Sequence, residues 1–465
     1  MLGLDLGLFI LLFVCLLAAC TFEFINGFHD TANAVATVIY TKSLKPHAAV
    51  IWSGIWNFLG VYLGGIAVAM GIINLLPLQA LVDQNIYHSV SMILSLILTA
   101  VIWNFSTWYL GIPCSSSHTL IGSIFGVGIA FMITTSNSVE PNWNKVIDAG
   151  LSLLVSPIIG FGVTIILMFF LKKIIKKKKF FHTPEEHKKP PFWIRGLLVL
   201  TCTSVSYSHG SNDGQKGIGL FMIILICFLP ARFAINPSKN PSNMIGSANA
   251  IEWFLNKTDK NKMLPKDTIA VFKAQMNIAT IKNILNNLQN PDVDSKKYNF
   301  ELRKNILNLE SLTPGLTTCK TNLNKDELYK LKLNIKELKS YTEFAPWWVI
   351  LLVSLSLGLG TMFGWKRIVV TIGEKIGRTN MNYAQGASSG IVAACTIGFS
   401  SFLGLPVSTT HVLSSGVAGS MVYEGGIKNL QRKTITNIIL TWIITIPVTI
   451  LLSGGLFLLF RSFAR

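Results

Sequence analysis

Apolar stretches close to the length of a membrane crossing recur along this chain, and they constrain its fold more than any other feature. A helix needs about 20 apolar residues to cross the hydrocarbon core of a bilayer. Leu6 to Phe24, Ala48 to Ile73, His88 to Leu110 and Ile147 to Leu171 approach or exceed that length in the first half. Gly196 to Ser206, Ile218 to Leu229, Trp347 to Phe363, Gly390 to Leu405, Val412 to Tyr423 and Ile435 to Phe460 follow in the second. Composition agrees: 13% of the 465 residues are charged and 51% are apolar, with a mean hydropathy of +0.50, whereas a soluble domain carries about 25% charged residues. The expected fold class is all-α and polytopic, with about ten to twelve transmembrane segments.

The formal charge of +18 does not make this a nucleic-acid binder, because the excess sits between apolar segments and not on an aromatic-interleaved face. Lys172-Lys173-Ile174-Ile175-Lys176-Lys177-Lys178-Lys179, with Lys188 and Lys189, abuts a span and reads as cytoplasmic by the positive-inside tendency. Met1-Leu2-Gly3-Leu4-Asp5 lacks a basic n-region and cleavage site, so the first apolar run is expected to be retained. Six cysteines lie in or beside apolar segments and Cys319 lies in a polar loop, with no disulfide or zinc spacing. Trp103, Trp108, Trp193, Trp347 and Trp348 read as interfacial anchors or packing.

Two copies of one motif divide the chain. Gly111-Ile112-Pro113-Cys114-Ser115-Ser116-Ser117-His118-Thr119-Leu120 recurs as Gly404-Leu405-Pro406-Val407-Ser408-Thr409-Thr410-His411-Val412-Leu413. Each copy follows a polar cluster set in apolar surroundings, Asn26 to Asn33 and Ser208 to Lys216. From Asp30 to His118 is about 88 residues and from Asp213 to His411 about 198; removing a polar insertion of about 110 residues equalises them, as duplication requires. The expected organisation is a first transmembrane repeat (1–171), a basic linker (172–191), the start of a second repeat (192–235), a polar helical insertion (236–345) and the rest of the second repeat (346–465). Within the insertion, Asp267 to Leu288 and Lys325 to Lys339 read as helices.

Loop charges set the orientation. The loop near Tyr40 to Pro46 carries Lys42 and Lys45, and that from Asn74 to Tyr87 carries no Lys or Arg. Its second-half counterpart holds Lys366, Arg367, Lys375 and Arg378. The bias has switched sides, which predicts an inverted-topology repeat with the insertion, Arg461 and Arg465 facing outward.

An ionised carboxylate at mid-membrane costs about 2.5–3.5 kcal/mol, so Asp30 and Asp213 need partners or a task. Asp30 sits with His29 and Asn33, and Asp213 with Asn212 and Lys216. These clusters are either interhelical hydrogen-bond networks or, as their recurrence at matched spacing favours, a cation or proton site. The Pro-x-Ser-Ser/Thr-Ser/Thr-His runs suit an oxyanion: proline opening a helix leaves free N–H groups, the hydroxyls add donors, and the helix dipole favours negative charge. The alternative is that small polar residues only permit close helix packing. His118 and His411, which end the runs, read first as buried hydrogen-bond partners and second as proton carriers. No G-x-x-x-x-G-K-[ST] run occurs, so ATP drive within the chain is not expected.

Gly27-Phe28-His29-Asp30-Thr31-Ala32-Asn33-Ala34, Gly210-Ser211-Asn212-Asp213-Gly214-Gln215-Lys216-Gly217 and the two Pro-x-Ser-x-x-His runs resemble the signatures of the PiT inorganic phosphate transporters, most of all the bacterial low-affinity Pit branch. The resemblance covers nearly the whole chain. It implies a secondary transporter, not an enzyme, with an inverted-repeat fold of broken or re-entrant helices. Phosphate would contact Ser115, Ser116, Ser117, Ser408, Thr409 and Thr410, and Asp30, Asn33 and Asp213 would handle the cation. Lys216 stands where many relatives repeat the Asn matched by Asn33. Positions acidic in sodium-coupled relatives correspond to Asn57 and Gly390, which argues against sodium. The branch implies proton symport at a bacterial inner membrane, with phosphate travelling as a neutral complex of a divalent cation such as Mg²⁺, and no resident cofactor. Inorganic phosphate, protons and the lipid bilayer are the expected partners, nucleic acid is not, and a homodimer is an assembly this reading allows. The competing readings are a transporter of sulfate or another oxyanion on the same fold, and a membrane-embedded phosphate-ester hydrolase using Asp30 and His29.

Overall fold

The computed structural model describes residues 4–75, 86–134, 143–185, 188–258, 265–288, 298–318 and 323–463. The expectations placed on Cys319, on Arg465 and on most of the loop from Asn74 to Tyr87 therefore fall outside the described residues. Two compact units emerge: Met1–Ile224 with Pro346–Arg465, and Leu225–Ala345.

The first unit is all helical. Its first half runs through α1 (Leu6–Asp30), α2 (Ala32–Tyr40), α3 (Pro46–Leu63), α4 (Ala67–Ile73), α5 (Ile86–Tyr109), α6 (Ser116–Thr134) and α7 (Trp143–Ile174); the second half opens with α8 (Phe192–Phe228). Helices of the second unit intervene, the longer ones being α9 (Ile245–Lys257), α10 (Pro265–Asn287), α11 (Asn299–Thr318) and α12 (Lys325–Ser340). The first unit then resumes with α13 (Trp347–Thr361), α14 (Lys366–Val370), α15 (Tyr383–Phe402), α16 (Thr409–Gly425) and α17 (Arg432–Phe463).

Five described helices are long and apolar enough to cross a membrane: Leu6–Tyr40, Ile86–Tyr109, Ser116–Thr134, Gly150–Ile174 and Arg432–Phe463. Two sharply bent pairs raise the number to seven, α3–α4 at 72° and Trp347–Thr361 with Lys366–Lys375 at 57°. Two stretches expected as separate elements, Gly196 to Ser206 and Ile218 to Leu229, are joined through the polar cluster 207–217 by the single helix α8. That cluster interrupts hydropathy without interrupting the helix, because the helix ladder satisfies the backbone whatever the side chains are.

The order of elements recurs along the chain. A bent pair, a long helix, a helix opened by the Pro-x-Ser run and a 32-residue helix with an internal proline (Pro157 in α7, Pro447 in α17) follow one another in each half. The halves interlock: α6 packs on α17, and α16 on α7. Small residues permit this approach, since a Cβ on Gly126 would collide with Ser453 Oγ and the Ile450 carbonyl, the close backbone contact that small residues provide between membrane helices. Large apolar side chains such as Leu154, Ile158, Ile443 and Leu451 stay exposed on α7 and α17, as membrane-crossing helices require.

The second unit has its own core. Val271, Ala274, Ile278, Ile281 and Leu285 recur at three- and four-residue spacing on α10 and meet Leu302, Ile306 and Leu309 of α11 and Leu331, Ile335 and Leu338 of α12, the stripe of an amphipathic helix. Asn324 and Glu327 form a capping box that starts α12. Arg303, fully buried, donates to the carbonyls of Ala234 (3.0 Å) and Thr342 (2.8 Å) and pins the ends of this unit together.

Candidate functional site

Each Pro-x-Ser run is a helix start built twice in the same way. Gly111 and Gly404 adopt φ of 67° and 70°, the left-handed conformation that glycine adopts at least cost. There the N–H of Ile112 returns to the Thr107 carbonyl (3.0 Å) and that of Leu405 to the Ser400 carbonyl (2.9 Å), so each preceding helix ends in a Schellman turn. The chain then re-enters a helix whose first N–H groups need acceptors. Ser115 Oγ accepts from the His118 N–H (3.2 Å) and Ser408 Oγ from the His411 N–H (3.1 Å), so these two serines serve as N-caps.

The next hydroxyls meet the carboxylates. Ser116 Oγ donates to Asp213 Oδ2 (3.0 Å) and lies 3.4 Å from Asp30 Oδ2, while Thr410 Oγ1 donates to Asp30 Oδ1 (2.7 Å). Asn33 Nδ2 donates to Thr410 Oγ1 (3.1 Å) and reaches Thr409 Oγ1 at 3.5 Å. His29 bridges Asp30 Oδ1 (3.1 Å) and Thr107 Oγ1 (3.2 Å). Lys216 Nζ lies 2.7 Å from Asp213 Oδ1 and donates to Ser117 Oγ (2.5 Å), which donates in turn to the Val407 carbonyl (2.7 Å). Both signature aspartates, both hydroxyl-rich tips, Asn33, His29 and Lys216 therefore form one buried cluster drawn from α1, α2, α6, α8 and α16.

The remaining predicted residues stand apart. Asn212 holds the second tip from behind: its Nδ2 donates to Ser401 Oγ and to the Leu405 carbonyl (both 3.1 Å), and its Oδ1 accepts from the Val407 N–H (3.3 Å). The rings of His118 and His411 lie 4.5 Å apart, and His411 stacks on Trp442 at 3.8 Å.

Sequence reasoning left His209 without a role. Its Nε2 is 3.7 Å from Asp30 Oδ2 and 3.6 Å from Asp213 Oδ2, between the two carboxylates, and its Nδ1 pairs with Asn57 Oδ1 (2.8 Å). Asn57 Nδ2 donates in turn to Thr361 Oγ1 (3.1 Å). The available signal was spacing, since His209 precedes Asp213 by one helical turn and shares its face. Asp30, His209 and Asp213 each offer a ligand atom within 4.8 Å of the others, a set suited to a divalent cation.

Bent helices, tip hydroxyls and a buried charged cluster, inside a unit whose helices reach membrane-crossing length, define the class as a multi-pass membrane transporter. The family model "PHO4: Phosphate transporter family" matches residues 26–453. PitA of Escherichia coli (strain K12), a low-affinity inorganic phosphate transporter, is 42% identical with 99% of both chains covered, and PitB is 40% identical over 98% of this chain and 97% of its own. A low-affinity inorganic phosphate transporter of Buchnera aphidicola subsp. Schizaphis graminum (strain Sg) is 44% identical over 97% and 96%. A solved structure described as the sodium-dependent phosphate transporter shares the fold, with a TM-score of 0.54 at 19% identity over 97% of this chain and 99% of that one. The chain belongs to the phosphate transporter family; it is a transporter and not an enzyme.

Proposed function

We propose that this chain imports inorganic phosphate across a bacterial inner membrane by proton symport, as a neutral complex with a divalent cation such as Mg²⁺. The observation that carries this reading is the convergence of Ser116 and Thr410, from opposite halves of the chain, on Asp30 and Asp213. The hydroxyls and N-terminal amides of α6 and α16 suit the phosphate oxygens. A bare doubly charged phosphate would be repelled by the carboxylates, at about 4 kcal/mol for each pair of unit charges 4 Å apart near an effective dielectric of 20. A divalent cation travelling with phosphate removes that conflict, and Asp30, His209 and Asp213 supply the oxygen and nitrogen donors for it. The interlocked pairs α6–α17 and α16–α7 support the inverted-repeat reading.

Proton rather than sodium coupling is supported by Asn57, an amide committed to His209 and Thr361, and by Gly390, which packs against Thr201: neither supplies a carboxylate. With a neutral cargo, one proton moves one net charge. At about 150 mV that is worth roughly 3.5 kcal/mol, enough for a gradient of several hundredfold.

Proteoliposomes holding the purified protein test the reading, with inward pH and sodium gradients imposed separately. Labelled phosphate should accumulate with the pH gradient, ignore sodium, withstand excess sulfate and fall on chelation of divalent cations. Sodium-driven accumulation at zero pH gradient would overturn it.

A further inference from the structure

Glu23 is a third buried carboxyl, outside the Asp30–Asp213 cluster. It lies on α1 seven residues before Asp30, two helical turns or about 10 Å along the axis. It is fully buried, and neither carboxylate oxygen makes a hydrogen bond; both amide atoms of the neighbouring Asn26 are likewise without one. A Cβ added at Gly217 of α8 would sit 2.5 Å from Glu23 Cδ and Oε1, so the missing side chain leaves the room that the carboxyl occupies. Gly217 follows Lys216 and stands one turn beyond Asp213, which places Glu23 against the same helix segment that carries the second aspartate.

The ionisable groups facing Glu23 are Asp213 and Lys216 from α8, and Asp30 and Cys20 on its own helix. Of the other helices packed on α1, α13 contains no ionisable residue, that of α2 is Tyr40 at its far end, and those of α5 (Tyr87, His88 and Tyr109) lie at its ends. Asp30 accepts hydrogen bonds from the tips, and Asp213 has Lys216 and Ser116. Glu23 faces Lys216 and Asn26 but its oxygens accept no hydrogen bond, and a buried carboxylate without a bonded partner is costly. Binding a proton removes that cost, and the carboxyl lies on the helix that carries Asp30 and against the segment of α8 that carries Asp213.

We propose that Glu23 carries the proton that moves with phosphate: its carboxylate takes one proton from the outer side, crosses neutral and returns that proton inside, while Asp30 and Asp213 hold the cargo. This rests on the proton-symport reading above.

Reconstituted wild type, Glu23→Gln and Glu23→Asp are compared in two assays, accumulation under an imposed pH gradient and exchange of labelled for unlabelled phosphate with no gradient. In Glu23→Gln the accumulation ratio should fall from as much as several hundredfold to about one, because the proton's contribution is lost, while exchange continues. Glu23→Asp should retain gradient-driven accumulation. Wild-type accumulation in Glu23→Gln overturns the proposal. So does joint loss of accumulation and exchange in Glu23→Gln, which makes the residue part of cargo binding or packing. A wild type indifferent to the pH gradient removes the symport reading itself, and the proposal with it.

Discussion

Replacing Lys216 by methionine removes the cation from a pair in which both side chains are wholly buried. The ammonium lies 2.7 Å from Asp213 Oδ1 and also donates to Ser117 Oγ, so the methionine leaves an uncompensated carboxylate and an unfilled acceptor. Breaking a buried pair from one side costs about 3–5 kcal/mol, most of it the orphaned charge. Adding Asp213→Asn to Lys216→Met removes that charge, so the double variant should be at least about 1 kcal/mol more stable than Lys216→Met alone, with coupling in the range seen for contacting residues. Denaturant-driven unfolding in detergent micelles, followed by helical circular dichroism for wild type, both singles and the double, reads this directly. If the double loses the sum of the single losses, the two residues do not act as a pair and the electrostatic account of the cluster is wrong.

Asp30→Asn and Asp213→Asn should each abolish gradient-driven phosphate uptake while the protein still reaches the membrane fraction; normal accumulation would reduce the cluster to a packing network. Gly126→Val should drive a side chain into Ser453 and the Ile450 backbone of α17, costing about 1–3 kcal/mol or more, and an unchanged unfolding midpoint would refute the α6–α17 contact. In the second unit, hydrogen bonding from Lys257 and then the Asn324 N–H holds the Glu327 carboxyl below its usual value of 4.5. Its capping contribution is therefore present above pH 4.5 and is lost as the pH falls through the lowered value. Hydrogen exchange in the first turn of α12, corrected for intrinsic rates, should rise across that window in wild type and stay flat in Glu327→Gln.

What could be read from the sequence was what local chemistry dictates. Pro113 and Pro406, with the serines after them, announce helix starts, and α6 and α16 begin at Ser116 and Thr409. Asp267 to Leu288 and Lys325 to Lys339 coincide closely with α10 and α12, because amphipathic spacing is a property of one helix. The long polar interruption inside α8 misled, since hydropathy registers lipid exposure and α8 hides its polar residues inside the unit. Pairings between distant segments left no local trace: Asp30 meets Thr410 across 380 residues, and Asn57 meets His209 across 152. The place of Glu23 against Gly217 is of the same kind, for nothing in either segment alone shows that one leaves room for the other.

Equilibrium binding of labelled phosphate to the purified protein, with and without Mg²⁺, tests most directly whether the two tips and the two aspartates form one site for a metal–phosphate complex. Wild type, Ser116→Ala, Thr410→Ala and the double variant are the four samples. Each single change deletes a hydrogen bond to a charged group, worth roughly 1.5–3 kcal/mol, so binding should weaken about ten- to a hundredfold. The double variant should depart from additivity because both hydroxyls serve one ligand, and chelating the metal should abolish binding. Small, strictly additive losses, or phosphate bound equally well without a divalent cation, would contradict the account.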